Sequence, residues 1–394
     1  MRLLHTADWH LGRIFHGQHL TEDQAYLLDQ VVDIVRESGV DAVLIAGDVY
    51  DRAVPPPEAV SLLDDVLARL VLGLRVPVVV IAGNHDSPER LGFASRLLER
   101  GGLHVAGVPA PDGGPVVLED RHGPVQIHPL PYTEPPVARQ VLGLDGLDDH
   151  DSATGAFLDR LRGDRLDGSQ THPPGGRRTV VVAHAFVAGG ASSESERPLS
   201  VGGAGTVDPS RFRGFTYVAL GHLHRPQAAG ADHVRYSGSL FKYSFDEADH
   251  EKSVTLVEVD ADGKVRVEEV PLRPRRDVRR VEGYFRDLLA GRGVPPGSRE
   301  DYLMVTLLDT GAVLDPIGRL REVYPNVLHV ERPALWTGGP DAGRGAGDER
   351  LRLDDMDLFR AFFSDVTGEE LSEEQEAAYA SVVEDLRRRQ REAG

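Results

Sequence analysis

Five short polar motifs, each placed directly after a run of apolar residues, constrain the fold of this 394-residue chain most strongly. In chain order they are "DWH" (8–10), "GDVYD" (47–51), "GNHD" (83–86), "AHA" (183–185) and "GHLH" (221–224). The preceding runs, such as "AVLIA" and "PVVVIA", are continuous, which is typical of strands covered on both faces. In open α/β sheets, ligands bind at the carboxyl ends of strands. The pattern therefore predicts an α/β fold with a polar site where several strands end.

Strand and helix patterns alternate through the first 90 residues, and apolar strands resume with "TVVVAHA", "FTYVALGH" and "SVTLVEVD". A helix after the first motif is predicted from apolar residues at helical spacing. Its apolar face consists of Leu27, Leu28, Val31 and Val35. Thr21 and Gln24 form a candidate capping box at its start. This alternation favours a layered α/β architecture.

Changes in composition divide the chain into four expected segments. Residues 1–272 form the large α/β domain, and residues 273–336 have the pattern of a small α+β module. Residues 337–350, rich in glycine, have the composition of a flexible linker. Residues 351–394 are expected to form C-terminal helices.

The C-terminal segment carries an apolar and aromatic stripe at helical spacing, with Ser372 and Gln375 as the cap of its second helix. The stripe consists of Leu358, Phe359, Phe362, Phe363, Tyr379, Val382, Val383 and Leu386. Two short amphipathic helices behind a loose linker have little core of their own. The stripe therefore either packs back on this chain or docks a partner, as amphipathic helices do in grooves.

Composition excludes several kinds of site and partner. The chain contains no cysteine, so any metal must be held by His, Asp, Glu or Asn. Its net charge of −19 opposes simple binding of nucleic acid, because that affinity comes mostly from Lys and Arg. No apolar run approaches the roughly eighteen residues of a membrane span, and the start lacks a secretory pattern. We expect a cytoplasmic protein.

The strand-end motifs contain more candidate metal ligands than one ion needs. They are Asp8, His10, Asp48, Asn84, His184, His222 and His224. In extended segments residues two apart point to the same side, so "DWH" and "GHLH" can each present two ligands. Two divalent ions sharing the Asp48 carboxylate match this set, which is the arrangement for in-line phosphoryl displacement. Mixed oxygen and imidazole ligands suit Mn or Fe, with Zn as a further possibility.

The "GNHD" motif separates two roles on neighbouring residues. Asn84 supplies a neutral ligand, which leaves His85 free to face the substrate. A protonated His85 can stabilise charge on the phosphate or protonate the leaving oxygen, and Asp86 is expected to orient its ring. The other histidines considered are interpreted as surface or packing residues. They are His5, His16, His19, His104, His122, His128, His172, His233 and His250.

Together the motifs resemble the calcineurin-like metallophosphoesterase family, whose series D-x-H, GD, GNHD, a lone His and GHxH is complete within residues 1–240. Further segments are similar to the nuclease subunits of bacterial SbcCD-type complexes. They are "LHTADWHLGR", "GDVYDRAVPP", "IAGNHDSPERL", "SSESERPLSVGGAGTV", "YVALGHLHRPQ" and "YSGSLFKYSFDEADHEKS". The resemblance implies a two-sheet β-sandwich flanked by helices, a small α+β capping domain that approaches DNA, and C-terminal helices that bind the coiled coil of an SbcC-type ATPase.

The resemblance also implies an activity and a site. The activity is Mn-dependent, ATP-regulated exonuclease and endonuclease cleavage of DNA ends and hairpins, by a homodimer within a heterotetramer. Matched by motif, Asp8, His10, Asp48 and His224 hold one Mn ion, and Asp48, Asn84, His184 and His222 hold the other. His85 is then the catalytic histidine. Asp51 stands where some relatives carry a second active-site histidine, so it receives no catalytic role.

Two other functions fit parts of the sequence. The same metal chemistry serves phosphodiesterases that act on small phosphate esters, although such enzymes need neither the α+β module nor the tail. The other alternative is a non-catalytic scaffold for DNA ends. The presence of every candidate ligand together with His85 argues against it. A basic partner that holds the duplex offsets the acidic charge of this chain.

Overall fold

A computed structural model describes residues 1–110, 114–166, 178–196, 205–295, 297–311, 313–333 and 370–392, together with 356–357, 359–360 and 363–364. The chain divides into two compact units, Met1–Val278 and Arg279–Gly394. The sequence pattern predicts this boundary at residue 272. The expected linker, 337–350, lies outside the described residues. Within the described part, no helix combines the length and the apolar character that a membrane crossing requires.

Most of the strands belong to the first unit. In chain order the strands are β1 Arg2–Thr6, β2 Ile14–Phe15, β3 Gln18–His19, β4 Ala42–Ile45, β5 Val78–Ile81, β6 Leu103–Ala106, β7 Val116–Asp120, β8 Gly123–Leu130, β9 Arg178–His184, β10 Phe186–Val187, β11 Thr206–Val207, β12 Tyr217–Gly221, β13 Gln227–Ala228, β14 Val234–Tyr236, β15 Ser253–Val259, β16 Val265–Pro271, β17 Val278–Gly283, β18 Tyr302–Leu307 and β19 Val327–Glu331.

The helices lie mainly between these strands. They are α1 Thr21–Ser38, α2 Pro57–Ala68, α3 Pro88–Leu91, α4 Ser95–Leu98, α5 Pro135–Leu142, α6 His150–Leu166, α7 Phe285–Leu289, α8 Pro316–Arg321 and α9 Glu373–Glu392.

Two six-stranded sheets form the first unit, with the orders β16-β15-β1-β4-β5-β6 and β13-β14-β12-β9-β8-β7. The central strands of each sheet run parallel, namely β1 with β4 and β5, and β9 with β12. One apolar cluster combines residues of both sheets, including Leu44 and Val79 with Val180 and Ala219, so the sheets pack face to face. A second cluster joins the second sheet to helices α5 and α6. The expected two-sheet sandwich flanked by helices is confirmed.

His5 links the two sheets inside this core, which agrees with its interpretation as a packing residue. Its Nε2 donates to the Leu220 carbonyl at 3.1 Å, and its Nδ1 lies 3.0 Å from the Tyr217 hydroxyl. Because a carbonyl can only accept, Nε2 carries a hydrogen; in the neutral ring that the lowered pKa favours, Nδ1 then accepts the Tyr217 O–H. Burial lowers the pKa of His5 from 6.5 to about 3.

We expect His5 to make the protein acid-sensitive. The folded pKa lies below the unfolded one, so between these values the unfolded chain binds a proton that the folded chain does not. Stability is therefore lost as the pH falls through this window, by about 2 kcal/mol between pH 7.5 and 5. Urea unfolding in chelator at both pH values measures this loss. In His5→Gln the loss should shrink by that amount, and equal losses in both proteins would contradict the prediction.

The predicted capping box at the start of α1 is wrong. Leu20 is the N-cap, and no side chain caps this helix end. The side chain of Gln24 instead donates to the carbonyl oxygens of Trp9, at 3.0 Å, and His10, at 2.8 Å. Both acceptors are buried backbone groups, and leaving such a group without a hydrogen bond costs free energy.

The second unit contains a three-stranded sheet in the order β17-β18-β19, with β18 and β19 parallel. Its own apolar cluster joins this sheet to helices α7 and α8, through Phe285 and Leu288 on one helix and Leu320 on the other. These residues form an α+β unit of the kind that the sequence pattern predicts.

The capping box predicted for the last helix is present. Gln375 N donates to Ser372 Oγ at 3.3 Å, and Ser372 N donates to Gln375 Oε1 at 2.9 Å. Phe359 stacks on Tyr379 with ring centroids 3.9 Å apart, so part of the aromatic stripe packs within the tail itself.

Three other described members of the stripe differ in their surroundings. Phe363 lies edge-tilted near Phe359, with centroids 6.3 Å apart. Val383 is half-buried, whereas the side chain of Val382 is 67% exposed. Leu358, Phe362 and the side chain of Leu386 lie outside the described residues.

Candidate metal centre

Five parallel strands deliver the predicted site residues to one edge of the sandwich. Strands β1, β4 and β5 are neighbours in the first sheet, and β9 and β12 are neighbours in the second. The five motifs follow or end these strands, in the same order as along the chain. Because the two sheets pack face to face, strand ends that are far apart in sequence meet here.

The backbone of the site is held in a conformation that side chains rarely adopt. Asp8, His10, Asp48 and His222 have φ values of 53°, 45°, 48° and 110°. Each such residue costs about 1–3 kcal/mol and persists only where the surroundings enforce it. Here the N–H of Asp8 donates to the Gly47 carbonyl and that of His10 to the Asp48 carbonyl, both at 3.0 Å. Strain of this kind clusters at functional sites.

Two of the motif glycines are required by close packing. A Cβ on Gly83 would lie 2.1 Å from Asp48 Oδ1, and a Cβ on Gly221 would lie 1.9 Å from the Ala46 carbonyl oxygen. Any other residue would push the ligand loops apart. This explains the glycine that precedes Asn84 and the one that precedes His222.

One group of donor atoms lies around His10. Its Nε2 is 3.1 Å from Nε2 of His224. Ligand atoms of Asp8, His10 and His224 all lie within 4.8 Å of one another. The Asp8 carboxylate also accepts the His222 backbone N–H at 3.0 and 3.1 Å, which fixes its position.

A second group lies around Asn84, and Asp48 contacts both groups. Asn84 Oδ1 is 2.8 Å from His184 Nε2 and 3.2 Å from His222 Nδ1. Asp48 Oδ2 lies 3.6 Å from His184 Nε2 and 3.7 Å from His10 Nε2. The structure thus brings all seven predicted ligands together, with one carboxylate in the middle.

The charges of this cluster fit divalent cations. Burial raises the pKa of Asp8 well above its ordinary value, and the nearby Asp48 raises it further. Burial lowers the pKa values of His10, His184 and His222, which keeps these rings neutral and able to act as ligands. Two ring nitrogens 3.1 Å apart and two adjacent buried carboxylates form a set of donors that divalent cations would stabilise.

His85 lies beside the seven ligands with one ring nitrogen already used. Its Nδ1 donates to the Asp51 carbonyl at 2.8 Å, and its backbone N–H donates to Asp48 Oδ1 at 2.8 Å. Nε2 is therefore the ring nitrogen left to face the site, and it lies 3.9 Å from Asp48 Oδ2. Asp51, which the sequence analysis left without a role, orients this ring through its backbone.

The expected contact between Asp86 and the His85 ring is wrong. The Asp86 carboxylate accepts three backbone N–H groups, those of Gly83, Val49 and Tyr50, at 2.9, 3.1 and 2.9 Å. Burial, followed by the charge of Asp48, raises the pKa of Asp86 to about 7, and the three N–H groups oppose this rise. Asp86 therefore connects its own loop, "GNHD", to the "GDVYD" loop by hydrogen bonds.

Several residues around the site were not identified from the sequence. Gln24 holds the backbone of the first motif, as described above. Ser195, Glu247 and Lys252 lie behind His224. The last three belong to segments that carry the resemblance to SbcCD-type nucleases, but those segments contain no recognised chemical motif.

Comparison with known proteins agrees with this geometry. The family model described as calcineurin-like phosphoesterase matches residues 1–226, and the model described as type 5 capsule protein repressor C-terminal domain matches residues 274–367. The SbcD subunit of the SbcCD nuclease of Staphylococcus epidermidis is 30% identical over 375 residues, covering 95% of this chain and 96% of that protein.

A solved structure gives a weaker match. The crystal structure of TT1561 of Thermus thermophilus is 14% identical and covers 68% of this chain and 98% of its own, with a TM-score of 0.37. It carries no weight in the assignment. The family models and the full-length relative do, and the chain therefore belongs to the calcineurin-like phosphoesterases, as a member of the SbcD type.

Proposed function

We propose that this chain is the nuclease subunit of an SbcCD-type DNA repair complex. It hydrolyses DNA phosphodiesters with two Mn²⁺ ions, as an exonuclease at DNA ends and an endonuclease on hairpins or single strands. An SbcC-type ATPase regulates the cleavage. The observation that carries the proposal is the meeting of seven donor side chains and His85 at one sandwich edge.

The seven donors divide into two cation positions in this proposal. Asp8, His10 and His224 serve one, Asn84, His184 and His222 serve the other, and Asp48 serves both. Two bound cations supply Lewis-acid stabilisation of the phosphate oxygens and of the attacking water. The chain contributes neutral imidazoles and two carboxylates, so the loaded site keeps a positive charge that attracts a phosphodiester.

His85 is the proton donor of the reaction. Its Nδ1 is occupied by the Asp51 carbonyl, which holds the ring and directs Nε2 toward the site. When Nε2 is protonated, it donates to the leaving oxygen or to a phosphate oxygen. Because Asp51 acts through its carbonyl, a change of its side chain leaves the orientation of His85 in place.

In this proposal the ATPase partner supplies the basic surface that binds DNA. With a net charge of −19, this chain lacks the basic surface on which duplex affinity depends. We assign the holding of the duplex to the ATPase and the docking of its coiled coil to the C-terminal helices. The exposed Val382 supports such a role, whereas the Phe359–Tyr379 stack shapes the tail itself.

A homodimer is part of the proposal. Phe93 and Leu97 lie four residues apart around α4, and their side chains are 80% and 79% exposed. Large apolar side chains exposed together mark interaction surfaces. We assign this surface to the second copy of the chain.

Cleavage of hairpin DNA is the direct test. The purified chain with Mn²⁺, alone and with an SbcC-type ATPase and ATP, is expected to cut the hairpin, and the rate is expected to rise with the partner. A small chromogenic phosphodiester is assayed in parallel. Val382→Asp should remove the increase caused by the ATPase without changing the basal rate, because an aspartate is costly to bury in an apolar interface.

The alternatives give different results. A wild-type chain that leaves DNA intact with its partner, yet hydrolyses the small ester, would be a phosphodiesterase for small substrates. A chain that binds DNA ends and the ATPase but hydrolyses neither substrate would be a scaffold. Either result overturns the nuclease assignment.

A further inference from the structure

A buried charged cluster lies directly behind His224, on the side away from the other ligands. Its members are Ser195, Glu247 and Lys252, drawn from two segments that the metal motifs do not include. The Glu247 side chain is fully buried, and that of Lys252 is 5% exposed. Burying an ion pair is costly unless its hydrogen bonds are complete, so such a cluster next to a ligand calls for a reason.

The cluster fixes which nitrogen of His224 carries its proton. Nδ1 lies 2.7 Å from Ser195 Oγ and 3.1 Å from Glu247 Oε1, and the Ser195 hydroxyl also contacts Glu247 Oε1. A carboxylate can only accept, so Nδ1–H and the serine O–H are the donors. The lone pair of His224 is then on Nε2, the atom that faces His10 Nε2 at 3.1 Å.

Lys252 balances the charge of Glu247. Its Nζ lies 2.5 Å from Glu247 Oε2 and also donates to Ser239 Oγ at 2.9 Å and to the His224 carbonyl at 2.8 Å. Lys252 therefore binds both the Glu247 carboxylate and the backbone of His224. His224 gains a strong acceptor in Glu247, whose charge Lys252 offsets.

The other ligand histidines lack this support. His184 Nε2 faces Asn84, and its other nitrogen, Nδ1, pairs with the neutral Ala46 carbonyl at 2.9 Å. In the described part of the chain His10 Nδ1 has no hydrogen-bond partner, and the Asp51 carboxylate lies 3.6 Å from it, beyond hydrogen-bonding distance. Among the described residues, no other ligand imidazole has a carboxylate oxygen within hydrogen-bonding distance. The donor group that contains His224 therefore has a buried carboxylate behind one of its imidazoles, and the group around Asn84 does not.

We propose that Glu247 is a positioning residue. With Ser195 and the balancing Lys252, it holds the His224 proton on Nδ1, so that Nε2 stays available as the ligand atom. This raises the affinity of one of the two cation positions. That position is the one served by Asp8, His10 and His224. Hydrogen-bonded carboxylates behind ligand histidines raise metal affinity by about 10–100-fold. The inference rests on the two-cation site of the proposed function.

Two double variants separate the positioning role from a structural one. Glu247→Leu with Lys252→Met replaces the ion pair by apolar side chains, which often preserves stability. Glu247→Gln with Lys252→Met is also uncharged but retains an acceptor oxygen. Mn²⁺ binding is followed by EPR titration of the full chain, and stability by urea unfolding in chelator.

The Leu/Met protein is expected to bind one Mn²⁺ about 10–100-fold more weakly and the other as wild type does. The Gln/Met protein should recover most of that affinity. Asp120→Asn is the matched control, because Asp120 forms a two-bond ion pair, at 2.7 Å, with the buried Arg178 far from these ligands. It should lose stability and keep both affinities.

The possible failures are distinct. A wild-type chain that binds no Mn²⁺ would refute the metal site of the proposed function. A wild-type chain that binds two ions while the Leu/Met protein binds both equally well would overturn the role of Glu247 alone. Equal weakening of both positions, or weakening in the Asp120→Asn control, would also overturn it, since the effect would then be general.

Discussion

Asp48→Asn is expected to lower Mn-dependent DNA cleavage by at least about 1,000-fold, or roughly 4 kcal/mol of transition-state stabilisation. Asparagine has nearly the same shape but no charge, and it offers one oxygen where aspartate offers two. Asp48 Oδ1 accepts from the His85 backbone, while Oδ2 lies 3.6 and 3.7 Å from ligand nitrogens of the two groups. One substitution therefore disturbs both proposed cation positions. Hairpin cleavage and EPR titration of bound Mn²⁺ measure the two consequences.

An exposed residue provides the control for this loss of charge. Asp33→Asn removes one carboxylate from α1, where the Asp33 side chain is 53% exposed and pairs with Arg36 in the same helix. Surface pairs of this kind contribute little, so the variant should match wild type. If Asp48→Asn still bound two ions and cleaved at a tenth of the wild-type rate or better, the shared role of Asp48 would be refuted.

His85→Gln is expected to lower cleavage by about 100- to 10,000-fold through loss of the proton donor. Its binding of Mn²⁺ should stay unchanged, because the ring of His85 is outside the seven donors and its Nδ1 is bonded to the Asp51 carbonyl. Glutamine can keep that hydrogen bond but cannot transfer a proton at neutral pH. Single-turnover cleavage of a hairpin at saturating Mn²⁺ isolates the chemical step.

The result distinguishes a catalytic from a ligating histidine. Loss of one bound ion in His85→Gln would place His85 among the ligands and remove its proposed role. Full activity in the variant would assign proton transfer to another group. The same protein should bind the ATPase as wild type does, since the proposed docking residues lie in the C-terminal helices and do not include His85.

Local pattern was sufficient wherever one strand or one turn decides the outcome. A continuous apolar run followed by Asp48 or Asn84 predicts a buried strand with a polar side chain at its end, and the structure has both strands, with these two side chains in the donor cluster. The capping box of Ser372 and Gln375 was predictable for the same reason, since both partners lie within one helical turn. Local patterns of this kind do not determine the domain division or the contacts with partners, which depend on packing between distant segments.

Predictions failed where a side chain could bond either to residues nearby in sequence or to residues brought close by folding. Gln24 has the spacing of a capping residue, yet it bonds buried carbonyls of the first motif. Asp86 is adjacent to His85, yet it accepts three backbone N–H groups from two loops. Adjacent residues often point in different directions, so neighbours in sequence need not be partners in space.

Residue types at strand ends were enough to identify the fold family, the seven donors and the separate position of His85. The grouping of the donors and the residues that support them depend instead on how the folded chain packs. Asp48 meets both groups, and Glu247 reaches His224, because two sheets pack face to face and loops distant in sequence meet at one edge. Hydrogen bonds form between whichever buried groups packing brings within about 3 Å, and no local pattern encodes that distance.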